Sequence, residues 1–382
     1  MRTITSSLVA LSFAACSGAP ADAPRADAEC ATCHPTQAAA FVVSAHARAP
    51  ESDLCRALRD RADPDTRAFC DRCHAPHAAP GERGVGCVTC HTAIATRGVS
   101  NGRLVMGDGD EMLGGFDDAR ATPAHASRRS GFIRSADLCG TCHEVAGPGA
   151  LVETPFSEWS RSPARAAGVT CVDCHMSTSP GTTSTAPARG PAAIDGPERQ
   201  LSDHAFVGPE HPRASELLQR AASIAVAVTR RDGDALAIDV TVTNRNPGHA
   251  LPSGARFARE VWVELVAVDA LGGRHIVTGG LDARGAPVEG DTQRIDLGDR
   301  VTRSGVAALP LDADAPAVRA IPAGERRAYR LRVPAAWEGA ATVSLAARLR
   351  YRRNAWALRE ALGLAPDVAP PVDLARAEAA AP

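Results

Sequence analysis

The sequence predicts a multidomain α + β chain: a mainly helical, loop-rich N-terminal domain packed around covalently held prosthetic groups, followed by an antiparallel immunoglobulin-like β-sandwich. Three observations predict it. Five Cys-x-x-Cys-His pentapeptides lie between residues 30 and 175, no cysteine occurs after residue 215, and from about Ala221 apolar residues alternate with a period of two. With 382 residues the chain is long enough for two domains. The division expected is 1–15 signal peptide, 16–28 linker, 29–214 cofactor domain, 215–353 β-sandwich and 354–382 C-terminal tail.

The N-terminus runs Met-Arg and then a short apolar stretch from Leu8 to Ala15. That is too short to span a bilayer, so it reads as a signal peptide and not an anchor. Ser12-Phe13-Ala14-Ala15-Cys16 resembles a bacterial lipoprotein signal, in which cleavage precedes the cysteine and its thiol is lipidated. Phe13 departs from the usual leucine, and ordinary cleavage nearby is the alternative. No later apolar run reaches membrane-spanning length, so membrane contact would be through lipid on Cys16. The expected location is extracytoplasmic, in the periplasm or at the outer membrane.

The pentapeptides are CATCH (Cys30, Cys33, His34), CDRCH (Cys70, Cys73, His74), CVTCH (Cys87, Cys90, His91), CGTCH (Cys139, Cys142, His143) and CVDCH (Cys171, Cys174, His175). They take up all but two of the 12 cysteines. Two thiols three residues apart add to the two vinyl groups of one haem, and the following imidazole ligates its iron, so the pattern predicts five covalently bound haem c. Zinc ribbons pair cysteines but need no histidine after every pair. A thioredoxin-like motif needs one pair at a helix start in a βαβ setting. A disulfide framework leaves the five histidines unexplained. Haem attachment takes place outside the bacterial inner membrane, the compartment the signal peptide implies. Cys55 begins no second pair and reads as a small buried hydrophobe.

Aromatic residues are sparse in the first half, so its peptide core would be thin and haem would supply the missing apolar volume. Every basic residue is arginine; the absence of lysine excludes a Cys-x-x-Cys-Lys haem site. With a formal net charge of −2, nothing suggests a nucleic-acid partner.

Each haem iron has two axial positions, and the pentapeptide histidines fill one apiece. A second histidine saturates the iron and suits electron transfer, whereas an open site can bind a small ligand. Four distal candidates stand out. His46 lies in FVVSAHA on a short helix beginning near Thr36, and His125 lies in TPAHASRR. His204 lies in SDHAFVG, after a Ser/Thr/Pro/Gly-rich stretch from Ser177 to Pro197 that reads as a flexible loop, and His249 lies in the NPGHALPSG turn between strands. His77 and His211 are poorer candidates, and His275 reads as a surface residue. Methionine ligation by Met106, Met112 or Met176 is disfavoured. The fifth iron takes His77 or stays open. Pro76, Pro80, Gly81, Gly84 and Gly86 fill the short linker from His74 to Cys87, which places haems two and three close together.

Residues 29 to 208 resemble the multihaem cytochromes of the cytochrome c-554 and c-prime type. The likeness rests on CATCH followed by FVVSAHA, on CDRCHAP and GVGCVTCH, on SADLCGTCHE, and on FSEWSRSPARAAGVTCVDCHM with a later DHAFVG. It implies a mainly helical domain of closely stacked, mostly histidine-ligated haems, in which one haem can lack a distal ligand. Hydroxylamine-oxidising relatives carry a tyrosine cross-linked to the haem, whereas Tyr329 and Tyr351 both lie in the second half.

In that second half, Ile224, Val226 and Val228 alternate, Arg231-Asp232-Gly233-Asp234 turns, and Leu236, Ile238, Val240 and Val242 resume: a hairpin. Further strands are expected over 261–268, ending at the Gly272-Gly273 turn, over 328–333 and over 341–351. NRNPGHALPSGARFAREVWVEL resembles a segment of multihaem cytochromes that append a β-sandwich, which would make His249 a ligand donated across the domain boundary. The alternative is that His249 only stabilises its own turn. The Ala/Pro-rich tail carries one short helix, from Trp356 to Leu362.

The function expected is electron transfer between redox partner proteins, with no catalytic residues. The alternative is an oxidoreductase acting on a small nitrogen or sulfur compound at one open haem, beside His77, Arg128 or Arg129. A third reading makes the sandwich a docking module.

Overall fold

Thioether attachment needs two cysteines on one face, and a helix provides this because residues i and i+3 are neighbours on its surface. The computed structural model describes residues 27–49, 52–76, 84–179, 188–209, 211–300, 302–303, 306–307, 309–311, 313, 318–365 and 369–381. The segment read as a signal peptide, Cys16 and His77 lie outside them. Helices α1 (Asp27–Cys33), α2 (Pro35–Phe41), α3 (Asp53–Arg61), α4 (Pro64–His74) and α5 (Cys87–His91) are followed by α6 (Ala136–Cys142), α7 (Pro155–Ser160), α8 (Pro163–Ala166) and α9 (Cys171–His175). The cysteine pairs of the pentapeptides lie on α1, α4, α5, α6 and α9, with His34 and His143 one residue past the ends of α1 and α6. Prolines 35, 64, 155 and 163 stand at helix starts, where a missing N–H costs nothing. Asp63 caps α4 by accepting from the Asp65 and Thr66 amides, and Ser135 caps α6.

The N-terminal domain is less purely helical than expected. It contains two-stranded ladders pairing Ala93–Thr96 with Leu104–Met106, Glu111–Gly114 with Ala126–Arg129, Val145–Ala146 with Val152–Glu153, and Ala188–Pro191 with Glu198–Leu201. The last pair lies partly within the stretch read as a flexible loop. ARGP and ERQL carry no apolar alternation, so backbone pairing there left no sequence signal. Helix α2 also ends before His46, which sits in the turn beyond it.

Helix α10 (Ala214–Ala221) leads into two antiparallel sheets. The expected hairpin joins Ala222–Asp232 to Ala235–Asn244 through Gly233 at φ 64°, and Arg326–Pro334 pairs on the other side of the second strand. The second sheet runs Arg274–Thr278, Glu260–Asp269, Ala340–Arg352 and Val372–Ala380. Their inner faces share one core, in which Ile238, Val240 and Val333 meet Val263, Leu265 and Leu345. Each such fully buried side chain contributes about 1.5–3 kcal/mol.

The tail expected from residue 354 is corrected. Helix α11 (Trp356–Ala361) forms as expected, but Val372–Ala380 is an ordered strand paired along Ala340–Arg352, with Leu374 3 % exposed. Its alanines show no β-branched pattern; the ladder and one buried leucine hold it. Leu54, on α3, packs with Ala258, Leu358 and Leu362, joining the two halves.

Candidate cofactor site

All ten pentapeptide cysteines and their five histidines line one continuous cavity of about 2050 Å³. That is about twice the upper end of ordinary ligand pockets, roughly 300–1,000 Å³. His46, His125, His204 and His249 line it too.

Each of these four faces a different pentapeptide histidine. The ring centroids are 6.3 Å apart for His34–His125, 5.9 Å for His143–His46, 6.3 Å for His91–His204 and 6.2 Å for His175–His249. Two imidazoles bound to opposite sides of one ion, with metal–nitrogen bonds of about 2.0–2.1 Å, place their centroids roughly 6 Å apart. The gaps therefore fit one metal ion each.

The hydrogen bonds fix which nitrogen is offered. Nδ1 lies 2.5 Å from the Ala192 carbonyl at His34, 2.6 Å from that of Leu113 at His91 and 3.1 Å from that of Val207 at His175. Among the facing histidines it lies 2.9 Å from the Ala126 carbonyl at His125, 3.0 Å from that of Ser202 at His204 and 3.2 Å from that of Ala250 at His249. A carbonyl only accepts, so at His34, His91, His175, His125 and His204 Nδ1 carries the proton and Nε2 keeps its lone pair for a metal, whereas at His249 the Asn246 amide nitrogen also stands 3.0 Å from Nδ1 and 3.2 Å from Nε2. Burial holds the rings in that neutral form: it pushes His46 down to about 3 and His91 and His175 to about 4, and lowers His143 and His204.

Zinc fits the site poorly. Among the described residues, no three His, Cys, Asp or Glu side chains converge as a chelating group. The residues fit haem c instead, with paired thiols beside each ring and apolar wall between.

The thiols also show how the sites adjoin. Cys30 is in hydrogen-bonding contact with Cys87, Cys73 with Cys142, and Cys139 with Cys171. The contacts thus join the first site to the third, the second to the fourth and the fourth to the fifth. The expected closeness of the second and third sites does not take the form of a thiol contact among the described residues. Their linker bounds the separation, but the packing of α1 on α5 and of α6 on α9 decides which sulfurs meet.

Cys55 is not the buried hydrophobe expected. It is half-buried, lines the cavity and places Sγ 3.8 Å from Nδ1 of His74. His211 accepts from the Arg213 amide and stands outside the cavity wall. His275 bonds Asp269 at 2.7 Å and stacks on Trp337. Arg128 and Arg129 pair with Glu111 and Asp117 at the surface. Met112, Met176 and Tyr351 line the cavity.

Glu158, which the sequence did not single out, joins the domains. Its carboxylate on α7 accepts from the Ala250 amide, the Ser253 hydroxyl and the Arg256 guanidinium, all in the loop that carries His249. Arg256 also pairs with Asp299. Phe206, against His46, was likewise not singled out.

No family model and none of the curated proteins compared matches the chain. Among solved structures, a penta-heme cytochrome c552 from Thermochromatium tepidum is similar, with a TM-score of 0.70 at 21 % identity over 94 % of this chain and 99 % of that one. The likeness shows that the two chains share a fold.

Proposed function

We propose that this chain is a pentahaem c-type cytochrome that passes electrons between redox partner proteins in the bacterial cell envelope. The observation that carries the reading is the single cavity in which five Cys-x-x-Cys-His groups converge, four of their imidazoles facing a second imidazole across a one-ion gap. Haem c bound there supplies a one-electron couple. The chain's own residues anchor it through thioethers, fix ligand rotation through Nδ1 and exclude water with an apolar wall. Neighbouring sites whose thiols touch keep the path between cofactors short.

The same reading takes the N-terminal domain as one of the cytochrome c-554 and c-prime type and the two sheets as an appended immunoglobulin-like sandwich. It takes the protein as exported and lipid-anchored at Cys16, in the periplasm or at the outer membrane. The fold shared with a penta-heme cytochrome supports the cofactor count.

The test is a haem-to-chain ratio from the pyridine haemochrome and intact mass, with the ferric EPR spectrum recorded before and after adding nitrite, hydroxylamine or cyanide. Five covalent haems per chain, low-spin and unmoved by added ligand, are the expected result. A lower ratio overturns the cofactor assignment. A high-spin signal near one haem in five that responds to ligand overturns the pure carrier reading and makes that haem a catalytic site.

A further inference from the structure

The fourth site, Cys139, Cys142 and His143 with His46, differs from the other paired sites in that its imidazoles cross. The His46 and His143 rings meet at 80°, against 22° for His34–His125, 11° for His91–His204 and 14° for His175–His249. Where the rings are nearly parallel, Nδ1 of each lies within hydrogen-bonding distance of a backbone carbonyl, with the Asn246 amide beside His249 as well. The buried Nδ1 of His46 has no hydrogen-bond partner among the described residues. Its rotation is therefore set by packing, and the ring that packs on it is Phe206, T-shaped at 4.7 Å and 78°.

Phe206 is itself over-determined. Its φ is 45°, a left-handed conformation rare for an aromatic residue, and it persists because both neighbours are tied down. The Ala205 amide donates to Asp203, and the Val207 amide donates to the His175 carbonyl. The Phe206 ring is hemmed in by Phe41 at 6.3 Å and His204 at 6.0 Å. The His46 backbone is pinned as well: its carbonyl accepts from Val85, and a Cβ at Gly84 would meet that oxygen at 2.3 Å.

We propose that Phe206 is a positioning residue that holds His46 crosswise to His143, making the fourth haem electronically unlike the other histidine-paired haems. The proposal rests on the haem reading above. In ferric bis-imidazole haems, parallel ligand planes separate two of the iron d orbitals and give a rhombic spectrum. Crossed planes leave them nearly degenerate and give one broad feature at high g. The fourth site also adjoins two others, since its two thiols contact Cys73 of the second and Cys171 of the fifth.

The experiment is ferric EPR of the full holoprotein, with haem content measured on the same sample. The wild type should show one strongly anisotropic, high-g signal worth one haem in five beside rhombic low-spin signals. In Phe206→Leu that signal should be lost or become rhombic while the rhombic signals and the five-haem content persist; Phe206→Tyr, which keeps the ring, should restore it. A wild-type spectrum with five haems and no high-g signal overturns the proposal, as does a high-g signal unchanged in Phe206→Leu. If Phe206→Leu loses haem, the Phe206→Tyr and wild-type spectra still decide. A wild-type haem content below five counts instead against the haem reading.

Discussion

An imidazole tied through Nδ1 to a carbonyl is a stronger and better-oriented donor at Nε2, because the bond feeds electron density into the ring. At His74 one neighbour of Nδ1 is the Cys55 sulfur at 3.8 Å. Sulfur accepts weakly, but it still favours the donating form of the ring. Replacing it by Cys55→Ala should leave five haems bound and raise one of the five reduction potentials by roughly 30–60 mV, up to tenfold in the one-electron ratio. Cys55→Ser, which keeps an acceptor, should shift it less, and a spectroelectrochemical titration that moves no potential would show the sulfur to be idle. The pentapeptides were legible because thioether chemistry dictates their spacing. His46, His125, His204 and His249 were legible as ligand candidates from their turn and helix contexts, and the structure sets all four opposite pentapeptide rings. Cys55 and Phe206 were not legible, since each matters only through a ring that the fold brings to it from 19 or more residues away.

Among the elements, the loop from Asn244 to Arg256 is the one that joins chemistry to architecture. Asn244 donates to the carbonyls of His249 and Ile321, and Asn246 accepts from the Gly248 amide, so the loop is braced by its own hydrogen bonds. Glu158 then holds it against α7, with the side chains of Arg256, Glu158 and Asp299 only 6 %, 12 % and 2 % exposed. Removing one partner of a buried ion pair strands the other and costs about 3–5 kcal/mol. Glu158→Ala should therefore destabilise the holoprotein by about that much in guanidinium denaturation, and it should convert part of the fifth haem to high-spin as His249 loosens. Glu158→Gln, which keeps acceptors for Ala250 and Ser253, should do both to a smaller degree; equal effects from the two variants would deny the charge its role. The strands over 222–244 were legible because burial on one face writes itself as alternation. Val372–Ala380 was not, because alanine carries too little apolar contrast to mark a face.

For the whole molecule, the two halves are stabilised by different matter. The large core cluster draws its buried side chains from Leu218 to Leu374, entirely from the β half and the helix leading into it. The N-terminal half instead surrounds the 2050 Å³ cavity. Side chains that line a space of that size have no peptide partner across it, so the packing they lack has to come from whatever fills the cavity. That His249 would reach the N-terminal half from across the boundary was expected from its turn; what had no sequence signal was that one cavity would join all the sites. On the haem reading, the N-terminal half and the two-sheet half should therefore separate in stability. A chain made without haem, in a host lacking cytochrome c maturation, should keep a β-rich circular dichroism spectrum but lose protection over residues 27–209. Limited proteolysis should then leave a resistant fragment beginning near α10, whereas the holoprotein resists as a whole. Equal protection of both halves in the haem-free chain would mean that the N-terminal fold stands on its peptide alone, and equal digestion of both would mean that the sandwich needs the filled cavity and the His175–His249 junction to hold together.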